Sequence, residues 1–120
     1  MHTNEQVPVV LQTATIKDAL LEISKKGLGM TAVVDEHGKM AGVFTDGDLR
    51  RILDQRYDIH SNLIADVMTR NCITAQAQQL AAEALQIMQQ KKINGLIIID
   101  DAGKPVGAMN MHDLLRAGVL

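Results

Sequence analysis

The stretch VDEHGKMAGVFTDGDLRR at residues 34–51 returns as IDDAGKPVGAMNMHDLLR at residues 99–116, without a gap and with a constant offset of 65 residues, as from Asp35 to Asp100. Seven of the 18 aligned positions are identical, whereas average composition would give about one match by chance. The same offset pairs Ala19-Leu20 with Ala84-Leu85. The chain is therefore predicted to be a tandem duplication, and the repeat sets its architecture.

Each copy contains the same series of local signals. Apolar residues at helical spacing predict an amphipathic helix, which is predicted to stop at residues 27–29 in the first copy and at Asn94-Gly95 in the second. Short apolar runs predict one strand before this helix and two after it, and a last apolar pattern predicts a closing helix. The predicted unit is strand, helix, strand, strand, helix. Its strands cover residues 7–11, 31–34 and 40–44 in the first copy and residues 72–74, 96–99 and 105–109 in the second.

A unit of about 60 residues leaves one apolar face of its small sheet exposed, and packing against its twin buries that face. We therefore predict an α/β (α+β) fold in which the two repeats form one pseudo-twofold pair. The predicted boundaries are 1–56 for the first repeat, 57–62 for a polar linker and 63–120 for the second repeat. A short apolar helix predicted at 63–69 has no full counterpart before the first repeat. This asymmetry predicts that the first repeat is clipped and that the chain is the end of a longer protein; the alternative is a natural start at Met1.

The composition excludes several classes of function. A net charge of -2 gives no field that attracts nucleic acid or an anionic membrane, and 2% aromatic residues argue against base-stacking platforms. The longest apolar runs, such as residues 96–99, fall far short of the roughly 20 residues that cross a bilayer. The start of the chain lacks a signal-peptide pattern. The single Cys72 and the lack of a Cys/His cluster with zinc spacing predict a metal-free protein of the reducing cytoplasm.

The strongest local feature is the junction GVFTDGD at residues 42–48, where a predicted strand runs into a predicted helix. Two interpretations are open. Thr45 and the neighbouring N–H groups can hold a phosphate while Asp48 accepts from ribose hydroxyls. Alternatively, Thr45 caps the helix and Asp48 returns a hydrogen bond to the Thr45 N–H, as in a capping box.

The second copy repeats the junction with Asn110 and Asp113, and His112 stands where the first copy has Gly47. His112 is a candidate phosphate donor or an exposed surface histidine. For Arg50-Arg51 and Lys91-Lys92 the default is a solvated helix end. Arg50 and Arg51 directly follow the first junction, so contact with a phosphate is their alternative role. No nucleophile and base pair emerges, so we predict that the chain by itself is not an enzyme.

The duplicated unit with its Gly-x-x-(Thr/Asn)-x-x-Asp junction resembles a tandem pair of CBS domains, also called a Bateman module. The resemblance implies a nucleotide receptor in the cleft between the copies, usually for adenine nucleotides, with no required cofactor. It implies that Thr45 and Asp48 hold phosphate and ribose in one site and that Asn110 and Asp113 do so in the other. Asp46 and His112 join these ligand-binding candidates, and the implied base-framing residues are Gly29, Met30, Asn94 and Gly95.

The run from Gly42 to Arg51 and the ending from Met111 to Leu120 are similar, more closely, to the C-terminal CBS pair of the bacterial arabinose 5-phosphate isomerase family, which serves Kdo and lipopolysaccharide synthesis. This resemblance implies an N-terminal sugar isomerase domain as partner, a homodimer formed through CBS pairs, and regulation by an adenine nucleotide or CMP-Kdo. Asn110 departs from the usual threonine. The competing hypothesis is a structural assembly module in which Thr45 and Asn110 act only as helix caps.

Overall fold

The computed structural model describes residues 2–70, 72–76, 78–79 and 81–111. The element order agrees with the predicted mixed α/β fold. A short strand β1 (His2–Thr3) precedes the first repeat, and the described helices and strands of both repeats follow in chain order. They are β2 (Val9–Leu11), α1 (Ile16–Lys26), β3 (Met30–Val34), β4 (Met40–Thr45), α2 (Asp46–Ile52), β5 (Thr74–Gln76), α3 (Ala81–Lys91), β6 (Gly95–Ile99) and β7 (Pro105–Asn110).

The 65-residue offset is reproduced in the backbone. Strands β2, β3 and β4 and helix α1 have bounds that map residue for residue onto β5, β6, β7 and α3. In both repeats the first strand lies parallel to the second and the second antiparallel to the third. Both antiparallel pairs shift register at the same place, between Val33 and Val34 and between Ile98 and Ile99. The duplication therefore determines strand pairing as well as strand position.

Two segments cross between the repeats. Strand β1 pairs antiparallel with β7, with His2 opposite Ala108, and so adds a fourth strand to the second sheet. At the related place in the first sheet, Thr69 and Val43 exchange two backbone hydrogen bonds, both of 2.9 Å. Each sheet thus has an edge covered by the segment that leads into the other repeat.

The predicted burial of sheet against sheet is confirmed. Met30 and Ala32 of the first sheet pack with Ile97 and Ala108 of the second, and all four side chains are buried. The tight turns of the two repeats also meet, because the Met40 N–H donates to the Gly103 carbonyl at 2.9 Å. The repeats therefore share one apolar interface.

Three details differ from the prediction. The first strand of the second repeat, predicted at 72–74, lies at Thr74–Gln76. The second helix ends at Lys91, and Lys92 takes the left-handed conformation (φ 56°) that Gly27 takes in the first repeat (φ 73°), so the stop lies before Asn94-Gly95. The segment predicted as an apolar helix at 63–69 forms a single 3-10 turn, Ile64–Asp66. The closing helix of the second repeat falls on residues 112–120, outside the described residues. The repeat boundaries remain a prediction.

The predicted linker at 57–62 lies against the start of α1. The Asn62 carbonyl accepts from the Ile16 N–H at 3.0 Å, and the Ile59 carbonyl accepts from the Lys17 N–H at 2.8 Å. These bonds satisfy helix N–H groups that have no partner inside the helix. Over the described residues, no helix is long and apolar enough to cross a membrane.

Candidate functional site

The junction between β4 and α2 forms a complete capping box. Thr45 has extended backbone angles (φ −122°, ψ 167°), and its hydroxyl oxygen accepts from the Asp48 N–H at 3.1 Å. The Asp48 Oδ2 atom accepts in return from the Thr45 N–H at 2.9 Å. The capping interpretation of this motif is therefore confirmed. It leaves the hydroxyl proton of Thr45 able to donate to a ligand, because that oxygen acts only as an acceptor in the box.

The Asp48 carboxylate is buried, with 4% of the residue exposed, and it gathers donors from three parts of the chain. Besides the Thr45 N–H, its Oδ1 atom accepts from the guanidinium of Arg51, one turn further along α2. The same oxygen accepts from the Thr69 hydroxyl at 3.3 Å. A buried carboxylate needs such partners, because leaving it without them costs several kcal/mol, on the order of 3 to 5. Asp48 thus joins the first junction to the segment that enters the second repeat.

A cleft of about 710 Å³ lies between the two repeats. This volume is within the usual range for small-molecule sites, roughly 300 to 1,000 Å³. The cleft brings together predicted site residues from both copies. Its lining includes Gly29, Met30, Thr45, Asp46 and Asp48 from the first repeat and Asn94, Gly95 and Asn110 from the second. The other two candidates, His112 and Asp113, lie outside the described residues.

Gly29 fixes the loop that faces the start of α2. It has φ 72°, in the region that favours glycine, and its carbonyl accepts from the Asp46 N–H at 3.0 Å. A Cβ atom at this position would lie 3.2 Å from Asp46 Oδ2. The loop end and the helix start therefore form one continuous wall of the cleft.

Met30 and Gly95 occupy the same position of the repeat, one in each copy, and touch each other at the base of the cleft. Met30 is buried, and a Cβ atom on Gly95 would lie 2.7 Å from its Sδ atom. The side chain of one repeat thus fills the space that the glycine of the other leaves open. The cleft is consequently asymmetric at its base.

Several lining residues were not among the predicted site residues. Thr69, Cys72 and Lys92 all line the cleft, together with the Arg50 and Arg51 that were considered for a phosphate. Lys92 is exposed, as its solvated interpretation requires, but its place beside the cleft was missed. The signal that could have found it is the repeat offset, which aligns Lys92 with the helix-ending Gly27.

Cys72 is half-buried in the wall, and burial raises the pKa of its thiol above the usual range. A raised pKa keeps the thiol protonated at neutral pH, and the thiolate is the nucleophilic form. The described part of the cleft therefore gives Cys72 the character of a small apolar wall residue. This agrees with its lack of a catalytic partner in the sequence.

Comparison with protein families matches residues 2–55 and 64–120 to the CBS domain. The chain belongs to the CBS domain family. Among curated relatives of this CBS pair, the arabinose 5-phosphate isomerase KdsD of Pseudomonas aeruginosa is 55% identical over 120 residues, which are 100% of this chain and 37% of that protein. KdsD of Escherichia coli K12 is 46% identical over 120 residues, covering 100% and 36%. The pair spans little more than a third of the length of these relatives.

Solved structures share the fold of this CBS pair. The CBS domain pair of protein MJ0100, in complex with 5′-methylthioadenosine and S-adenosyl-L-methionine, gives a TM-score of 0.83 at 27% identity and covers 97% of this chain and 90% of that chain. A CBS domain protein from Pyrobaculum aerophilum, complexed with AMP, gives 0.81 at 21% identity over 95% and 90%. The predicted fold and the resemblance to the CBS pair of arabinose 5-phosphate isomerase are confirmed.

Proposed function

We propose that this chain is the regulatory CBS pair of an arabinose 5-phosphate isomerase and that its cleft senses a nucleotide or a nucleotide sugar. The observation that carries the proposal is the cleft itself, which collects junction residues and loop residues from both repeats. The MJ0100 pair, at 27% identity, is solved with two adenosine-containing molecules, which supports a ligand of this class. An adenine nucleotide and CMP-Kdo are the two effectors that we consider.

The proposed roles follow the chemistry of each group. Thr45 donates its hydroxyl proton to a phosphate, and Asp48 accepts from ribose hydroxyls. Asp46 stands exposed at the first position of α2, beside both. The proposed frame for the base is Gly29, Met30, Asn94 and Gly95, and the proposed second half-site is Asn110, His112 and Asp113.

The parent activity is part of the same proposal. Both KdsD relatives are arabinose 5-phosphate isomerases about three times the length of the matched region, so we propose that an N-terminal sugar isomerase domain precedes this pair. In this arrangement, binding of the ligand in the cleft changes the activity of the isomerase domain. The CBS pairs of two chains form a homodimer.

Titration calorimetry of the folded chain with AMP, ATP, S-adenosyl-L-methionine and CMP-Kdo tests the proposal. We expect at least one of them to bind. Thr45→Ala should then weaken that binding by about 1 to 3 kcal/mol, roughly 5- to 150-fold, because one hydrogen bond to the ligand is lost.

Thr15→Ala is the matched control. Thr15 caps α1 with the same capping box, to Asp18, and it does not line the cleft. Both variants should lose about 1 kcal/mol of stability, but only Thr45→Ala should lose affinity. If the folded protein binds none of the four compounds, the sensing function is wrong.

The second candidate is an assembly module that senses no ligand. Two observations favour it: the capping box by itself accounts for the Thr45 and Asp48 side chains, and Leu21 and Leu53 are exposed at 58% and 68%. Sedimentation with and without nucleotide separates the two functions. An assembly module forms the same oligomer in both conditions and gives no heat of binding.

A further inference from the structure

The Asp48 carboxylate already has three protein donors, although the proposed function asks it to accept from a ribose. The donors are the Thr45 N–H, the Thr69 hydroxyl and the Arg51 guanidinium. Since Asp48 is nearly fully buried, an incoming ribose has to approach from the cleft, which Arg51 and Thr69 also line. A carboxylate offers about four acceptor sites, and the three protein donors leave one, whereas a ribose that donates both of its hydroxyls needs two. One of the present donors must then give way.

The three donors differ in how firmly they are held. The Thr45 N–H belongs to the backbone of the helix cap. Thr69 is fixed through its backbone, which exchanges two hydrogen bonds with Val43. Arg51 is held by its side chain, which is 71% exposed and free to adopt other rotamers in water. Exposed ion-pair partners contribute little net stability, so Arg51 is the donor that leaves at the lowest cost.

We infer that Arg51 is an exchange residue, which pairs with Asp48 in the free protein and transfers to the phosphate of a bound ribonucleotide. The ribose hydroxyls replace the guanidinium on Asp48, and the released guanidinium, whose side chain lines the same cleft, takes the phosphate as its new anion. No bond is formed or broken, and the positive charge always has an anionic partner. This inference rests on the proposed function and adds a selectivity to it.

The selectivity follows from what Arg51 gains. A nucleoside without phosphate displaces Arg51 from Asp48 and offers it no anion in return, whereas a nucleotide restores the ion pair. The exchange therefore selects phosphorylated ribose over free nucleoside, because a nucleoside breaks the Asp48–Arg51 ion pair without replacing it. Removing Arg51 should abolish this cost, so nucleoside affinity should rise and nucleotide affinity should fall.

The experiment compares adenosine with AMP, and cytidine with CMP, by calorimetry on the full chain and on Arg51→Met, which keeps an aliphatic stem but has no donor. For the pair that the wild type binds, we expect Arg51→Met to tighten nucleoside binding about 3- to 10-fold and to weaken nucleotide binding by about 10-fold or more. Arg51→Lys keeps a charge and should retain most of the nucleotide affinity. It also serves as the second variant if the methionine protein does not fold.

Arg56→Met is the control for net charge, because Arg56 is exposed and does not line the cleft. It should change neither affinity. Equal shifts of nucleoside and nucleotide binding in Arg51→Met, or an unchanged nucleoside affinity, would overturn the exchange while leaving the proposed function in place. A wild type that binds no member of either pair overturns the exchange, and the proposed function falls with it only if ATP, S-adenosyl-L-methionine and CMP-Kdo also fail to bind.

Discussion

The two repeats have the same backbone but different cleft residues. Their strands, registers and first helices coincide residue for residue at the 65-residue offset. Where they face the cleft, however, Met30 stands opposite Gly95, and Thr45 corresponds to Asn110. The duplicated skeleton therefore supplies the shape of the cleft, and the substitutions between copies make its two ends chemically distinct.

This difference has a consequence for any ligand. A symmetric cleft would accept a small molecule in two equivalent orientations, but a cleft with a methionine on one side and a glycine at the equivalent position of the other does not. The described part of the first half also contains the buried carboxylate and its arginine, Asp48 and Arg51. Substitutions at positions where the two repeats differ test this comparison, because their effects on stability should differ between the repeats.

The largest expected effect is at Gly42, where the first repeat receives the crossing segment. A Cβ atom there would lie 2.7 Å from the Thr69 carbonyl oxygen and 2.7 Å from Met68 Sδ. Since the carbonyl belongs to a backbone paired with Val43, it cannot easily move. Gly42→Ala should therefore lower the free energy of unfolding by about 2 to 3 kcal/mol, measured by urea denaturation.

Gly47→Ala is the control for Gly42, because its new Cβ would meet only Thr45 Oγ1, at an ordinary 3.6 Å. Gly47 lies inside α2, where alanine is the better helix former by about 0.5 to 1 kcal/mol. This variant should be as stable as the wild type or more so. If Gly42→Ala left the urea midpoint unchanged, as is allowed for Gly47→Ala, the close contact of Gly42 with Met68 and Thr69 would be wrong.

A smaller effect with opposite signs is expected where the first helix of each repeat ends. Gly27 and Lys92 both have left-handed backbone angles, and only glycine adopts them without strain. Gly27→Ala should cost about 1 kcal/mol of stability, and Lys92→Gly should gain about as much. Thermal melts should show a lower melting temperature for Gly27→Ala and a higher one for Lys92→Gly. Equal loss in both would contradict the equivalence of the two helix ends.

The smallest effect concerns acid. Burial raises the pKa of Glu22, but hydrogen bonds from the Val9 N–H (2.9 Å) and from Lys26 (3.0 Å) outweigh it and hold that pKa below its usual value of 4.5. A lowered folded-state pKa means that the stabilisation is present above about pH 4.5 and is lost as the pH falls through the folded value. The second repeat has the uncharged Ile87 at this position, packed against its core.

Glu22→Gln should therefore reduce the free energy of unfolding at pH 7 by less than about 1 kcal/mol, and the difference from the wild type should shrink at pH 3.5. Urea denaturation at the two pH values measures it. Ser24→Ala, an exposed change on the same helix, is the control and should show no such pH dependence. A constant difference at both pH values would show that the carboxylate charge is not what ties α1 to β2.

Local sequence patterns were sufficient to predict much of this structure. The repeat offset predicted both sheets and their mutual burial, and the capping box at Thr45 was one of the two interpretations that the junction motif left open. Eight site candidates line one cleft, and six of them are three pairs related by the 65-residue offset: Gly29 and Asn94, Met30 and Gly95, Thr45 and Asn110. Their proposed ligand roles remain predictions.

The remaining features depend on contacts between residues distant in sequence. A two-residue strand at His2–Thr3 has no local signal of its own, and its partner is Ala108 in the other repeat. Thr69 reaches Asp48 across the boundary between the repeats, so neither residue by itself indicates the pairing. Lys92 adopts a glycine-like conformation against its intrinsic preference, so the identity of this residue gives no signal of its backbone angles.

The pairing of β1 with β7 also affects the order in which the chain can be completed. Synthesis produces residue 2 long before its partner in the sheet, residue 108. Closing so long a loop carries an entropic cost that only later contacts offset, and contacts of this separation slow folding. Strand β1 must therefore remain unpaired until β7 has been made, and its pairing shows that the second sheet has formed.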